Sequence, residues 1–248
     1  LCNFALLLYA TKIKAGRILV KVGLTSRNKM SCPDWVFLPL QKYENCAKIP
    51  TRVRTSQRSN VIMATKNIAV LVGSLRKESF NRKMAVALTH MQPSSLKLDL
   101  VEIGQLPMYN QDLDDNPPEA WASFRKRMRG YDGVLFVTPE YNRSVPAVLK
   151  NAIDVGSRPY GQSVWNGKPA AVISVSPSAM GGFGSNHHLR QSLVFLNMPV
   201  MQQPEAYVGG ADKLFNERGE ISADKTREFF TGLYQRLCRL GGALSRGW

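Results

Sequence analysis

Cysteine is scarce: four in 248 residues, too few for a disulfide framework to hold a chain of this size. Long apolar runs are missing too. No stretch approaches the roughly 18 consecutive apolar residues that a membrane-spanning helix needs. Histidine is limited to three residues. His187 and His188 are adjacent and His90 is remote, and without a cysteine or carboxylate at ligand spacing they do not make a metal site. Acidic residues are few, 18 against 33 Lys and Arg, which gives a net charge of +15. Taken whole, that excess suggests a partner such as nucleic acid or a membrane surface. Apolar residues are not lacking: 44% of the chain is hydrophobic and 9% aromatic, which excludes a wholly disordered polymer. The length fits one large domain or one and a half ordinary ones.

The charge is unevenly placed. Residues 1–62 hold eleven Lys and Arg against only Asp34 and Glu44, a net +9, and residues 63–248 carry the remaining +6. Cys2, Cys32 and Cys46 also lie in the first segment, leaving only Cys238 beyond it. FALLLYA is a short apolar run there, followed by scattered basic and small residues with no sustained helical or strand period. The segment reads as a basic leader, expected to be disordered or foreign to the native protein. The first residue is Leu1, and Met63-Ala64-Thr65 leads directly into a strand. A transit peptide, a secretory signal, upstream sequence translated in frame and a disordered basic arm are the alternatives.

Residues 63–248 alternate strands and helices. NIAVLV (67–72), GVLFVT (133–138) and AAVISVS (170–176) are continuous apolar runs, as expected of strands covered on both faces. LKLDLVE (96–102) alternates, which suits a strand nearer the sheet edge. Helices are expected over 80–91, around Trp121–Tyr131, over 144–156 with Pro146 in the first turn, over 186–197, and after a Ser222 cap. A last strand falls within 200–207, broken by Pro204. Asp112, Asp114 and Asp115 lack the oxygen spacing of a calcium loop and read as solvated. Cys238 reads as a packed thiol. The order predicts an α/β fold with a parallel, doubly wound sheet. Ligands then bind beyond the carboxyl ends of the strands.

Three loops leave those ends. The first is Gly73-Ser74-Leu75-Arg76-Lys77-Glu78-Ser79-Phe80-Asn81. It opens a helix, whose N-terminal amides and dipole attract anions. Ser74, Ser79 and Asn81 offer short donors and Arg76 offers charge. It lacks both GxGxxG and GxxxxGK[ST], so a phosphate monoester suits it better than a dinucleotide or P-loop ligand. The alternative is an ordinary turn with Ser79 as a helix cap. The second loop, Pro139-Glu140-Tyr141-Asn142, offers a rest for a planar ring or else simple turn residues. In the third, Ser176–Ser185, glycines allow close approach to a flat ligand or else mere flexibility.

GSLRKESFN (73–81), PEYN (139–142) and VSPSAMGG (175–182), supported by LKNAID (149–154) and HLRQ (188–191), together resemble the NADPH-dependent FMN reductase family, within it the bacterial chromate and quinone reductases. The likeness covers residues 66–248 and none of 1–62. It implies a flavodoxin-like fold with five parallel strands and non-covalent FMN. By position, Ser74, Leu75, Arg76, Lys77, Glu78, Ser79, Phe80 and Asn81 would hold the FMN phosphate. Pro139, Glu140, Tyr141 and Asn142 would bound the isoalloxazine, and Ser176 would lie near the ring. Hydride would pass from NADPH or NADH through FMN to quinones, chromate or azo compounds, with no obligatory catalytic side chain. The resemblance also implies a cytoplasmic homodimer or homotetramer, with no membrane and no nucleic-acid partner. Two other classes stay open: an FMN electron carrier that does not oxidise NAD(P)H, and a basic nucleic-acid module using residues 1–62.

Overall fold

The computed structural model describes residues 5–13, 17–25 and 65–244. The chain divides into two units, Leu1–Val61 and Ile62–Trp248. In the first unit, β1 (Ala5–Ile13) and β2 (Arg17–Thr25) pair antiparallel, from Ala5 opposite Thr25 to Ile13 opposite Arg17. This corrects the expectation that the segment has no strand period. In RILVKVGLT, Ile18, Val20, Val22 and Leu24 recur at every second position, and β-branched residues suit a pleated strand. The disorder expected for the rest of residues 1–62 lies outside the described residues.

The second unit begins with β3 (Lys66–Val72), α1 (Phe80–His90), β4 (Leu96–Val101), α2 (Glu119–Arg129) and β5 (Gly133–Thr138). It continues with α3 (Ala147–Ser157), β6 (Ala170–Val175), α4 (Phe183–Phe195), β7 (Ala206–Val208) and α5 (Asp224–Leu244). The five strands of this unit are all parallel, in the order β4-β3-β5-β6-β7. That is the flavodoxin-like order, with its switch point between β3 and β5. β5 and β6 are buried along their whole length, and β4, at the edge, shows the alternation read in its sequence.

Helices cover both faces. Met84 and Leu88 of α1 pack with Phe230 and Leu233 of α5 against Val70, Leu135 and Ile173. Trp121 and Met128 of α2, Ile153 of α3 and Leu189 of α4 pack against Leu71, Phe136 and Val172. Each fully buried side chain of this kind contributes roughly 1.5–3 kcal/mol. Trp165 lies so close to α3 that a Cβ on Gly156 would come within 2.5 Å of its ring. Among the described residues no helix is long and apolar enough to cross a membrane.

Several element boundaries differ from the sequence reading. α3 begins at Ala147, because Tyr141 and Ser144 first close a turn and Pro146 stands in the capping position. α4 begins at Phe183 rather than Asn186, since Gly182 supplies a left-handed cap (φ 76°). The last strand is only Ala206–Val208, and Val200 makes an isolated bridge to Ala170. Pro204, which lacks an N–H donor, separates the two. Ser222 does not cap α5. Its hydroxyl donates to the Leu214 carbonyl, and the first helical bonds go to the Ala223 carbonyl. Asp114 is not solvated. Its Oδ2 accepts from Arg158 at 2.6 and 2.8 Å and from the Tyr109 hydroxyl at 3.1 Å, beside the buried Arg125. This ties the loop after β4 to α2 and α3.

The amino ends of the strands are closed by polar pairs. Asp132 accepts from the Lys66 ammonium at 2.9 Å and the Asn67 N–H at 2.8 Å, while Lys168 donates to the Tyr131 carbonyl. Burial pushes the Lys168 ammonium below its ordinary value, against the opposing pull of Asp132.

Candidate functional site

At the carboxyl ends the same strands behave differently. β3 runs out at Val72, and the Gly73 N–H donates to Val137 of β5 at 2.9 Å. A Cβ on Gly73 would come within 3.2 Å of both Thr138 and Pro139, so the first and second loops touch there. From Ser74 to Asn81 the backbone N–H groups meet no protein acceptor among the described residues. These eight consecutive donors lead into the positive end of the α1 dipole. They suit an anion with several acceptor oxygens, such as a phosphate monoester.

The side chains of this loop divide into two sets. Leu75, Arg76, Lys77 and Glu78 are exposed, whereas Ser74, Ser79 and Asn81 are buried. Ser79 is the N-cap: its Oγ accepts from the Arg82 N–H at 3.2 Å. Asn81 is 4% exposed, and its Nδ2 donates to the Val175 carbonyl at the end of β6 at 3.2 Å. Its Oδ1 is buried without a partner. Asn81 is thus a strut between the first and third loops. Arg76 donates to the Glu78 carbonyl at 2.8 Å and lies over the Phe80 ring, 5.7 Å from its centre. A carboxylate partner for it is absent among the described ion pairs.

The second loop is a tight reversal. Tyr141 and Ser144 exchange backbone bonds of 3.0 and 3.1 Å across Asn142 and Arg143. Both central residues have positive φ, 51° and 62°, as in a type I′ turn. Asparagine tolerates that region, but arginine there is strained, a feature that concentrates at functional sites. Tyr141 and Asn142 are exposed, Pro139 is buried and Glu140 is half-buried.

Glu140 shows a role that its position in the sequence did not reveal. Its Oε2 accepts the Ser185 N–H at 3.1 Å in the first turn of α4, and its Oε1 accepts from Arg143 at 3.0 Å. A carboxylate from the second loop therefore caps the helix that follows the third. A Cβ on Gly184 would sit 2.9 Å from the Arg143 carbonyl and 3.0 Å from Glu140, so this approach requires glycine. No local pattern announces a pairing across 45 residues. Ser185 and Asn186 were missed as well. Ser185 bonds Thr138 at 3.1 Å, and Asn186 holds Ser174 and the Ala206 carbonyl, joining α4 to β5, β6 and β7.

In the third loop, Ser176 is half-buried and its Oγ accepts from the Ser178 N–H at 3.1 Å. Its own N–H donates to Val208 at 2.9 Å. The exposed Phe183 packs with His187 and Tyr207, and the Tyr207 hydroxyl lies 3.0 Å from His187 Nε2. Burial raises the Tyr207 phenol, and the Glu205 carboxylate adds to the shift. His188 bonds Ser144 at 3.1 Å, so both α4 histidines serve surface contacts. Cys238 is a free, half-buried thiol 3.4 Å from Ser95, far along the chain from these loops.

The three loops thus meet above β3, β5 and β6. They present free amides on one side and a strained turn with glycine-lined backbone on the other. This suits a flat ligand with a phosphate tail.

The family described as NADPH-dependent FMN reductase matches residues 66–213. The chain is similar to a quinone reductase of Pseudomonas putida, 64% identical over 171 residues, 68% of this chain and 91% of that protein. It is also similar to a 2-hydroxy-1,4-benzoquinone reductase of a Burkholderia species, 47% identical over 67% of this chain and 91% of that protein. Among solved structures, the flavoenzyme NAD(P)H:(acceptor) oxidoreductase FerB from Paracoccus denitrificans superposes with a TM-score of 0.69. It is 39% identical, covering 72% of this chain and 98% of that one.

Proposed function

The chain belongs to the NADPH-dependent FMN reductase family, and from that premise we propose an FMN-dependent NAD(P)H oxidoreductase that reduces quinones. When bound, FMN accepts hydride from the reduced nicotinamide nucleotide and passes reducing equivalents to the acceptor. The observation that carries the site assignment is the run of unpartnered amides from Ser74 to Asn81 at the α1 N-terminus. In this reading those amides hold the phosphate, and Arg76 adds charge at its edge. Ser79 and Asn81 keep the loop in shape. Pro139, Glu140, Tyr141 and Asn142 bound the ring system, with Glu140 locking the turn onto α4. Ser176 borders the ring from the third loop.

Quinones are the proposed acceptor class, because relatives at 64% and 47% identity carry quinone reductase names. Chromate and azo compounds follow as secondary acceptors, since an exposed flavin edge discriminates poorly among oxidants. The proposed assembly is a homodimer, able to pair into a tetramer. A groove of about 1010 Å³ lies along α3 and α4, flanked by Tyr160 and Phe195, which are 90% and 89% exposed. Large apolar side chains left exposed beside such a groove support a subunit interface there. A cytoplasmic location suits the free thiol of Cys238 and the use of reduced nicotinamide nucleotides.

Anaerobic titration tests the reading. The purified protein is expected to be yellow, to bleach on addition of NADPH or NADH, and to recover colour with benzoquinone. A preparation that takes up no FMN overturns the proposal. A yellow protein that neither nucleotide bleaches is an electron carrier instead.

A further inference from the structure

A second groove, of about 660 Å³, runs alongside α1 from Lys77 and Ser79 towards Met91. Its other wall comes from the turn at Arg218–Ile221 and from Arg227. Part of its lining is apolar, from Val86, Ala87, Met91 and Ile221. Its charged lining is unbalanced: Lys77, Arg82, Lys83, Arg218 and Arg227 face only Glu78 and Glu220.

Most of these charges are already matched. Lys83 pairs with Glu78 at 2.8 Å, Arg82 with Glu102 at 2.7 Å, and Arg227 with Asp224. Among the described ion pairs, Lys77 and Arg218 are left without a carboxylate. Arg218 is also well anchored. Asn216 Oδ1 accepts the N–H groups of Arg218 and Glu220 at 3.0 and 2.9 Å, and Asn216 Nδ2 donates to the Glu220 carboxylate. The turn therefore presents its guanidinium from a fixed backbone.

We propose that this groove receives the adenosine 2′-phosphate half of NADPH and makes Arg218 a specificity-determining residue. The inference rests on the NAD(P)H oxidoreductase reading above. An adenine ring needs an apolar surface, which Val86 and Ile221 supply. A dianionic phosphate monoester needs forked, charged donors, which a guanidinium supplies. The groove is continuous with the flavin side, because Lys77 and Ser79 belong both to its wall and to the loop assigned to the FMN phosphate. NADH lacks the 2′-phosphate and gains nothing from Arg218.

The test uses the FMN-loaded full chain and two variants, Arg218→Glu and Val86→Glu. Val86 is an exposed helix position that tolerates glutamate. Arg218→Glu is expected to raise KM for NADPH about tenfold through loss of a charge-assisted contact, while KM for NADH changes less than about twofold. In calorimetry, 2′,5′-ADP is expected to bind more tightly than 5′-AMP, and both variants should weaken it. An unchanged NADPH KM in Arg218→Glu, an equal rise for NADH, or equal binding of the two adenine nucleotides would overturn the inference. If neither reduced nucleotide bleaches the flavin, the reductase reading fails instead. Loss of 2′,5′-ADP binding in Arg218→Glu would then still support the groove as a nucleotide site, and no binding to the unmutated chain would overturn it as well.

Discussion

At the amino ends of β3 and β5, Asp132 takes up the Lys66 ammonium and the Asn67 N–H, and Lys168 closes the next gap on the Tyr131 carbonyl. At the carboxyl ends of the same strands, eight amides from Ser74 to Asn81 meet no acceptor among the described residues. There Asn142 and Arg143 hold positive φ, and glycines replace side chains. The contrast does not follow from which end is more apolar, since the polar residues Lys66 and Asn67 stand at the satisfied end of β3 and the buried Leu71 and Val72 at the open one. Polar satisfaction stabilises the amino end, and the end proposed to bind FMN keeps its donors free. Partners brought in from distant loops, such as Glu140 and Asn81, hold the open end in shape.

The largest expected effect falls at the open end. In Gly182→Val a branched side chain would have to adopt φ 76° with its Cβ 2.9 Å from that of Ser174. A loss of about 3 kcal/mol or more in urea unfolding is expected, accompanied by loss of FMN. Next comes Ser79→Ala with Asn81→Ala, which removes the α1 cap and the strut to β6. Stability should fall by about 2 kcal/mol, and FMN affinity should fall about tenfold or more by fluorescence titration. Unchanged FMN affinity would refute the assignment of that loop.

At the closed end the pattern should reverse. Burial alone would raise the Asp132 carboxyl, but the Lys66 ammonium and the Asn67 N–H hold it below its ordinary value. Its stabilisation is therefore present above the ordinary carboxylate range and disappears as pH falls through the lowered value. Asp132→Asn should flatten the acid limb of the stability profile and leave FMN affinity within about twofold, because the change lies at the far end of the sheet from the loops. A large loss of FMN would break the comparison. The smallest effect belongs to the other unit. Deleting residues 1–62 should leave FMN content and reductase rate unchanged, while any salt-sensitive nucleic-acid binding, measured by filter retention, should vanish. A deletion that abolishes activity would show that the leader belongs to the enzyme.

The legible parts of the sequence were those written in local pattern. Continuous apolar runs gave β3, β5 and β6, alternation marked β4 as an edge strand, and GSLRKESFN marked the loop of free amides. Long-range partners were illegible. Nothing near Glu140 announces Ser185, and nothing near Asp114 announces Arg158, because periodicity reports a residue's face and not its partner. Local geometry also shifted boundaries, as where Gly182 started α4 three residues early and the Tyr141–Ser144 turn delayed α3. The β1–β2 pair was missed because interspersed basic residues masked an alternation that backbone pairing does not need to bury.

The central claim is that the amides from Ser74 to Asn81 exist for a phosphate. Comparing the affinities of the flavin-free protein for FMN and riboflavin tests this most directly, because the two ligands differ only in that group. The account predicts FMN binding tighter by at least about a hundredfold, just under the low end of what two charge-assisted hydrogen bonds contribute. Affinities within about twofold of one another would contradict it.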